Sequence, residues 1–105
     1  MRQRILLLED NKQSLELIEQ ILTEEGLNIV DFNPQLILLD IRLSNGYGHL
    51  LCEDLKRDAR TKNTPVILVS AANNLEKIAG DSHADAFLSK HFNLRDLVQL
   101  VKQYI

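Results

Sequence analysis

Five polar side chains that could act on a phosphoryl group stand at the ends of short apolar runs. They are Glu9, Asp10, Asp40, Ser70 and Lys90. A carboxylate can attack phosphorus and form an acyl phosphate, and Mg²⁺ prefers oxygen ligands such as carboxylates. Phosphoryl transfer depends mainly on positioning and on neutralising charge, which an ammonium group can supply. These residue types therefore favour metal-assisted transfer of a phosphoryl group to a carboxylate.

The apolar runs predict the elements that bring these side chains together. Unbroken apolar runs of four or five residues are typical of strands buried on both faces of a parallel sheet. Helical stretches separate them, which indicates a doubly wound α/β sheet. Ligands of such sheets bind beyond the carboxyl ends of the strands. The predicted strands are Arg4–Leu8, Leu36–Leu39, Val66–Val69 and residues 86–89; the predicted helices are Lys12–Glu25 behind Asn11, Gly48–Arg57, Leu75–Ala79 and one from Leu94 behind Asn93.

One interval breaks this alternation of strands and helices. Residues 27–31 look like a strand, but only four residues separate them from Leu36. A parallel crossover needs a dozen or more residues. We therefore expect that residues 27–31 are not an ordinary parallel strand joined to Leu36–Leu39 within one subunit. Three paths stay open: a simple link that leaves four core strands, an antiparallel hairpin arm, or exchange with another chain.

The composition fits one soluble globular domain over residues 1–105. The hydrophobic content of 45% and charged content of 26% are ordinary for such a domain. A net charge of −3 without a basic block gives nucleic-acid or anionic-membrane binding no electrostatic support. No run approaches the roughly 20 apolar residues of a membrane span, and the start lacks the apolar segment of a secretory signal. The single cysteine, Cys52, excludes an internal disulfide and fits a reducing cytoplasm.

Five features in order along the chain resemble the receiver domain of bacterial two-component response regulators. They are LLLEDN at 6–11, LILLDI at 36–41, Gly48 eight residues after Asp40, TPVILVSA at 64–71 and ADAFLSK at 84–90. The resemblance covers nearly the whole chain apart from residues 27–35. It implies a flavodoxin-like fold that has lost its second crossover helix, with four core strands and a short or exchanged extra strand.

The resemblance also implies roles for the residues at the strand ends. Asp40 would accept the phosphoryl group, Lys90 would pair with its oxygens and Ser70 would hydrogen-bond one of them. Phe87, three residues before Lys90, would be the aromatic that changes rotamer when Ser70 moves. The Mg²⁺ ligands would be Asp10, Asp40, Glu9 directly or through water, and the backbone carbonyl of Arg42.

The function implied by the resemblance is a cytoplasmic phosphoacceptor switch capable of self-dephosphorylation, not a turnover enzyme. A histidine kinase or phosphotransfer protein would donate the phosphate, and a downstream protein would read the change. Neither nucleic acid nor membrane is expected as a partner. The alternative is a receiver-like interaction module that no longer switches. A phosphohydrolase with Asp40 as nucleophile is disfavoured, because such enzymes often place a second acid where this chain has Arg42.

Three departures from the family pattern bear on these expectations. The family usually has proline after the lysine, with a cis bond between them, where this chain has His91. A cis bond without proline costs about 3–4 kcal/mol, which favours trans and a differently aimed Lys90. The helix at Leu75–Ala79 is short. The missing crossover helix would bare part of one sheet face, which favours a homodimer formed by strand exchange through residues 27–35 or by packing of that face, with a compact four-stranded monomer as the alternative.

Overall fold

Parallel strands alternate with helices along the described chain, except that the third strand follows the second without a helix between them. The computed structural model describes residues 4–9, 12–30, 33–41 and 48–105. The elements are β1 (Arg4–Leu8), α1 (Lys12–Glu24), β2 (Asn28–Ile29), β3 (Leu36–Leu39), α2 (Gly48–Arg57), β4 (Val66–Ser70), α3 (Leu75–Asp81), β5 (Ala86–Ser89) and α4 (Leu94–Tyr104). The strand order is β2-β1-β3-β4-β5, which is the order of flavodoxin-like doubly wound sheets. The predicted fold class is confirmed.

Two helical layers cover the central strands. Successive residues of a strand point to opposite faces of its sheet, so β3 and β4 supply apolar side chains to both layers. Every residue of these two strands is buried, as their unbroken apolar runs predict. The layer formed by α1 and α4 buries Ile18, Leu22, Leu97 and Val101. The layer formed by α2 and α3 buries Cys52, Leu75 and Ala79.

The segment after α1 pairs in parallel with β1 of the same chain, which corrects the expectation for residues 27–31. The strand is only two residues long, with Asn28 opposite Arg4 and Ile29 opposite Ile5. A strand of two residues is only about 7 Å long, so the chain has only a short distance to cover back to the beginning of β3. The six residues between β2 and β3 leave no room for a crossover helix. The expectation failed because it treated all five residues as strand.

The link from β2 to β3 is held against the first residue of β1. Arg4 donates from Nε to the carbonyl oxygen of Asn33 at 2.8 Å and from its backbone N–H to Oε1 of Gln35 at 2.8 Å. The backbone N–H of Gln35 donates in return to the carbonyl of Arg4 at 2.7 Å. Asn33 has a φ of 46°, in the left-handed region that asparagine tolerates better than most residues. Asp31 and Phe32 lie outside the described residues.

The first strand is less covered than its neighbours. Only Ile5 of β1 is buried, whereas Leu6 and Leu8 are partly buried against the core on the α2 side. This is the face over which the lost crossover helix would lie. Partial exposure of β1 is therefore the local consequence of the short link.

The cysteine and histidine side chains are placed as ordinary structural and surface residues. Cys52 is completely buried and donates from Sγ to the carbonyl of Ser82 at 3.6 Å. Burial raises the pKa of this thiol, which keeps it protonated and unreactive. His49, His83 and His91 are exposed. Among the described helices, none combines the length and the apolar character needed to cross a membrane.

Candidate functional site

The carboxyl ends of four strands meet at one edge of the sheet. Leu8 at the end of β1 pairs with Leu39 at the end of β3, so Glu9 and Asp40 follow neighbouring strands at the same level. The backbone N–H of Asp40 donates to the carbonyl of Leu8 at 2.9 Å. On the other side, Lys90 follows β5 and its N–H donates to the carbonyl of Ser70 at 2.8 Å. The parallel register thus brings these residues to one edge.

Three of these side chains form a charged cluster. The Nζ atom of Lys90 lies 2.6 Å from Oε2 of Glu9 and 3.0 Å from Oδ2 of Asp40. Charge-assisted hydrogen bonds of this length are among the stronger polar contacts in proteins. Segments 81 and 50 residues apart along the chain are therefore joined at one ammonium group. We call this group the Glu9–Asp40–Lys90 cluster.

The cluster is nearly buried and brings two carboxylates to one ammonium. The exposed fractions of the side chains are 3% for Glu9, 7% for Asp40 and 14% for Lys90. Burial alone would lower the pKa of Lys90, but the hydrogen bonds to Glu9 and Asp40 and the charges of both outweigh it, so this pKa lies above its ordinary value. The ammonium stays protonated at neutral pH and pairs with both carboxylates.

The donor set of the cluster fits a hard divalent cation. Mg²⁺ usually binds through one or two carboxylates and keeps several waters, and Glu9 and Asp40 supply two carboxylates beside a single ammonium. Within the described ranges, no group of three or more acidic, histidine or cysteine side chains is arranged for a metal. The two other predicted ligands, Asp10 and the carbonyl of Arg42, lie outside the described residues.

Ser70 is the last residue of β4 and lies at the same edge. It is completely buried, and its Oγ accepts a hydrogen bond from the backbone N–H of Ala72 at 3.2 Å. Ser70 pairs with Ser89 of β5, the residue immediately before Lys90. Ser70 therefore lies between the strands that carry Asp40 and Lys90, with its hydroxyl directed to its own loop.

Phe87 lies in the middle of β5 and is 39% exposed. Its neighbours Ala86 and Leu88 pack on the α1 and α4 side, so alternation places Phe87 on the opposite face. There it lines a groove beside α3 together with Ala79 and Gly80. An aromatic ring that is this exposed has space on one side, three residues from the lysine of the charged cluster.

Two features of the site were not anticipated from the sequence. The Lys90–His91 peptide bond is cis, so the preference for trans was wrong, and Lys90 does reach Asp40. Glu9 was expected only as a metal ligand, whereas it also holds Lys90 at 2.6 Å. The sequence shows that Lys90 follows another strand and carries the charge opposite to that of the acids. Only the folded chain shows that its ammonium contacts Glu9 as well as Asp40.

Comparisons with known proteins agree with this geometry. A family model described as "Response regulator receiver domain" matches residues 5–102. The chain is 31% identical to the DNA-binding dual master transcriptional regulator RpaA of Synechocystis, over 94% of this chain and 47% of that protein. It is 30% identical to the phosphate regulon transcriptional regulatory protein PhoB of Escherichia coli, over 97% of this chain and 51% of that protein. The chain thus spans about half the length of these relatives.

Solved structures are similar over almost the whole chain. A CheY-like response regulator receiver domain protein from Methanospirillum hungatei superposes with a TM-score of 0.88 and 26% identity, covering 98% of this chain and 93% of that one. The receiver domain of sensor histidine kinase PA1611 from Pseudomonas aeruginosa has a TM-score of 0.88 at 22% identity, covering 99% and 98%. That structure has a magnesium ion coordinated in its active-site cleft. At 22% identity the likeness shows the fold alone.

Proposed function

Because the chain belongs to the response regulator receiver domain family, we propose that it accepts a phosphoryl group on Asp40 and thereby changes its binding of a partner protein. The observation that supports this most directly is the nearly buried cluster in which Lys90 lies 3.0 Å from Asp40. The donor is a histidine kinase or a phosphotransfer protein. The chain acts in the cytoplasm as one receiver domain over residues 1–105.

The chemical step is an in-line displacement at phosphorus. A carboxylate oxygen of Asp40 forms a bond to phosphorus while the bond from phosphorus to the donor breaks and its electron pair leaves with the donor. The products are an acyl phosphate on Asp40 and the free imidazole of the donor histidine, which takes its proton from solvent. Lys90, which donates to Oδ2 of Asp40, hydrogen-bonds the phosphoryl oxygens, because a preorganised positive charge is most effective beside the group that is transferred.

The metal that we propose for this chemistry is Mg²⁺. Asp10, Asp40, the backbone carbonyl of Arg42 and Glu9, directly or through water, would hold it. When bound, Mg²⁺ neutralises the negative charge that the phosphoryl oxygens bring to the carboxylates. The two carboxylates that converge in the described part of the site support this assignment, as does the magnesium ion in the similar PA1611 receiver structure.

Ser70 and Phe87 carry the change of state outward from the site. Ser70 exchanges its hydrogen bond with Ala72 for one that it donates to a phosphoryl oxygen. The movement of Ser70 frees space on the β4 side, and Phe87, which is exposed in this structure, turns inward to fill it. The groove beside α3 then presents a different surface to the partner. The ring signals of Phe87 in an NMR spectrum should shift on phosphorylation of the wild type and stay in place in Ser70→Ala.

Incubation with acetyl phosphate and Mg²⁺, followed by intact-mass measurement, tests the phosphoacceptor. We expect one phosphoryl adduct on the wild type and none on Asp40→Asn, because the amide is not a nucleophile. Asp54→Asn is the matched control, since it removes one exposed carboxylate from α2, and it should keep the adduct. No adduct on a folded wild type, or an adduct that persists in Asp40→Asn, would contradict the proposal.

The phosphoryl group leaves again by hydrolysis. Water attacks phosphorus, the bond to Asp40 breaks, and inorganic phosphate and the free carboxylate result. Each cycle consumes one delivered phosphate, so the chain acts as a timed switch and not as a turnover enzyme. The adduct of the wild type should therefore decay after acetyl phosphate is removed, and a permanent adduct would contradict this part of the proposal.

Self-association by packing of the bared face is the last part of the proposal. Leu6 and Leu8 of β1 are only partly buried on the α2 side, and a second copy could cover them. Strand exchange has less support, because β2 pairs with β1 of its own chain. Light scattering that gives the monomer mass over a wide concentration range would exclude a homodimer.

A further inference from the structure

Gly48, the first residue of α2, lies in unusually close contact with the backbone that follows Asp40. An added Cβ at Gly48 would lie 2.5 Å from Cα of Ile41, 2.7 Å from the carbonyl oxygen of Asp40 and 2.7 Å from that of Ile41. All three are backbone atoms, which cannot move aside as the end of a flexible side chain can. No other amino acid fits at this position without a shift of one of the two segments.

The need for glycine here comes from this close approach and not from an unusual backbone angle. Gly26 has a φ of +81° and Gly80 lies within α3, and an added Cβ would meet no atom within 4 Å at either. Gly48 alone of these three is pressed against the chain. A glycine that allows two backbones to touch is a typical device for fixing one segment against another.

Asp40 is therefore held on both sides. Its backbone N–H donates to the carbonyl of Leu8 at 2.9 Å, which ties it to β1. Its carbonyl and the following Cα rest against Gly48, which ties it to the start of α2. The direction of the Asp40 carboxylate, and with it the 3.0 Å contact to Lys90, depends on where this peptide unit lies.

We propose that Gly48 is a positioning residue for the phosphoacceptor: by admitting α2 to within contact of residues 40 and 41, it sets the direction of the Asp40 side chain. The inference deepens the proposed function and rests on it for its effect on phosphoryl uptake. Its effect on the Asp40–Lys90 contact does not require that any phosphate be accepted. Gly48 touches no reacting atom, so it acts only through Asp40.

Gly48→Ala tests the inference, with Gly80→Ala as the matched control. Both variants add the same methyl group to a helix of the α2 and α3 layer, but only the first collides with backbone. Displacement of a reacting group by about 1 Å can cost roughly a hundredfold in rate. We therefore expect Gly48→Ala to lower the rate of acetyl phosphate uptake by about tenfold to a hundredfold. Gly80→Ala should leave the rate unchanged.

A second readout separates positioning from loss of stability. In folded Gly48→Ala, the ¹³C shift of the Asp40 carboxyl carbon and the signal of the Lys90 ammonium should both move, and the dissociation constant for Mg²⁺ should rise. Gly80→Ala should reproduce the wild-type spectrum and Mg²⁺ titration. A folded Gly48→Ala with wild-type uptake, Asp40 shift and Mg²⁺ affinity would overturn the inference.

The two proposals can fail separately. If the wild type accepts no phosphate, the proposed function is wrong, and the Asp40 shift in Gly48→Ala still decides the role of Gly48. If Gly48→Ala does not fold, wild-type protein with ¹³C-labelled glycine replaces it. Titration with Mg²⁺ should then shift the Cα signal of Gly48 and leave that of Gly80 in place. A Gly48 signal that stays fixed while Asp40 responds would overturn the inference.

Discussion

Lys90 at the carboxyl edge of the sheet and Lys56 at the opposite edge each pair with carboxylates, yet their surroundings differ. Lys56 donates from Nζ to Oδ2 of Asp85 at 2.8 Å and to the carbonyl of Thr64 at 3.1 Å. The same Asp85 oxygen accepts the backbone N–H of Val66 at 2.8 Å. One carboxylate thus serves one ammonium, and together they join α2 to the beginnings of β4 and β5.

The Lys90 end has a different balance of charge and burial. There, one ammonium meets two carboxylates whose side chains are 3% and 7% exposed, whereas the side chain of Asp85 is 33% exposed. Two carboxylates thus share one ammonium away from water at this end, whereas the single carboxylate at the Lys56 end keeps its access to water. The number of acids per lysine, and not the presence of an ion pair, distinguishes the two ends of this sheet.

The largest effect should follow Lys90→Met in the absence of divalent cations. The substitution removes the ammonium that donates to both Glu9 and Asp40. Breaking a buried ion pair in this way lowers the free energy of unfolding by about 3–5 kcal/mol. Under the proposed function Mg²⁺ binds the folded site, so its addition should restore part of this loss by mass action. Urea unfolding with and without MgCl₂ measures both. If variant and wild type had equal free energies of unfolding without Mg²⁺, the contacts of Lys90 would not stabilise the fold, which would contradict the prediction.

A smaller loss should follow Lys56→Met at the other edge. Asp85 keeps its hydrogen bond from Val66 and its access to water, so the cost should be that of hydrogen bonds to a charged group, about 1.5–3 kcal/mol. The increment that Mg²⁺ adds to stability should equal that of the wild type in the same urea experiment. A Mg²⁺ rescue specific to Lys56→Met would break the distinction between the two edges.

The smallest effect belongs to an exposed pair, Asp58 and Arg60, joined at 2.8 Å. The side-chain hydrogen bond from Arg60, followed by that from its backbone N–H, lowers the pKa of Asp58 to about 2. The folded pKa lies below the unfolded value of 3.8. The stabilisation is therefore complete above pH 3.8 and is lost as the pH falls toward 2. An NMR titration should show a higher Asp58 pKa in Arg60→Ala, with little change in unfolding; an unchanged pKa would contradict the assignment.

The sequence predicted the central strands of the sheet better than its border. The bounds of β1, β3 and α2 are those expected. The two strands are visible as apolar runs, and the helix is visible because its apolar residues recur with helical spacing. Asn93 caps α4 as expected, since its side chain accepts the N–H of Arg95 at 2.7 Å. Asn11, the other expected cap, lies outside the described residues.

The remainder depends on contacts that no local pattern encodes. Residues 27–31 carry the composition of a strand, but only Asn28 and Ile29 among the described ones pair with β1, and Arg4 then holds the returning link. The spacing of Gly48 from Asp40 was visible in the sequence, whereas the reason for glycine there is a contact between two backbones. Glu9 and Asp40 likewise share Lys90 as a partner because its side chain reaches both from the end of β5.

The two-residue β2 has a consequence for how chains of this kind can change in length. It lies at the border of the sheet, contributes no side chain to the Glu9–Asp40–Lys90 cluster, and is joined to β3 by six residues, of which Asn33 and Gln35 are tied to Arg4. Insertions or deletions between Ile29 and Leu36 therefore alter an outer margin and spare the four strands that converge on the charges. An engineer who wishes to add a sensor segment to this protein would begin there.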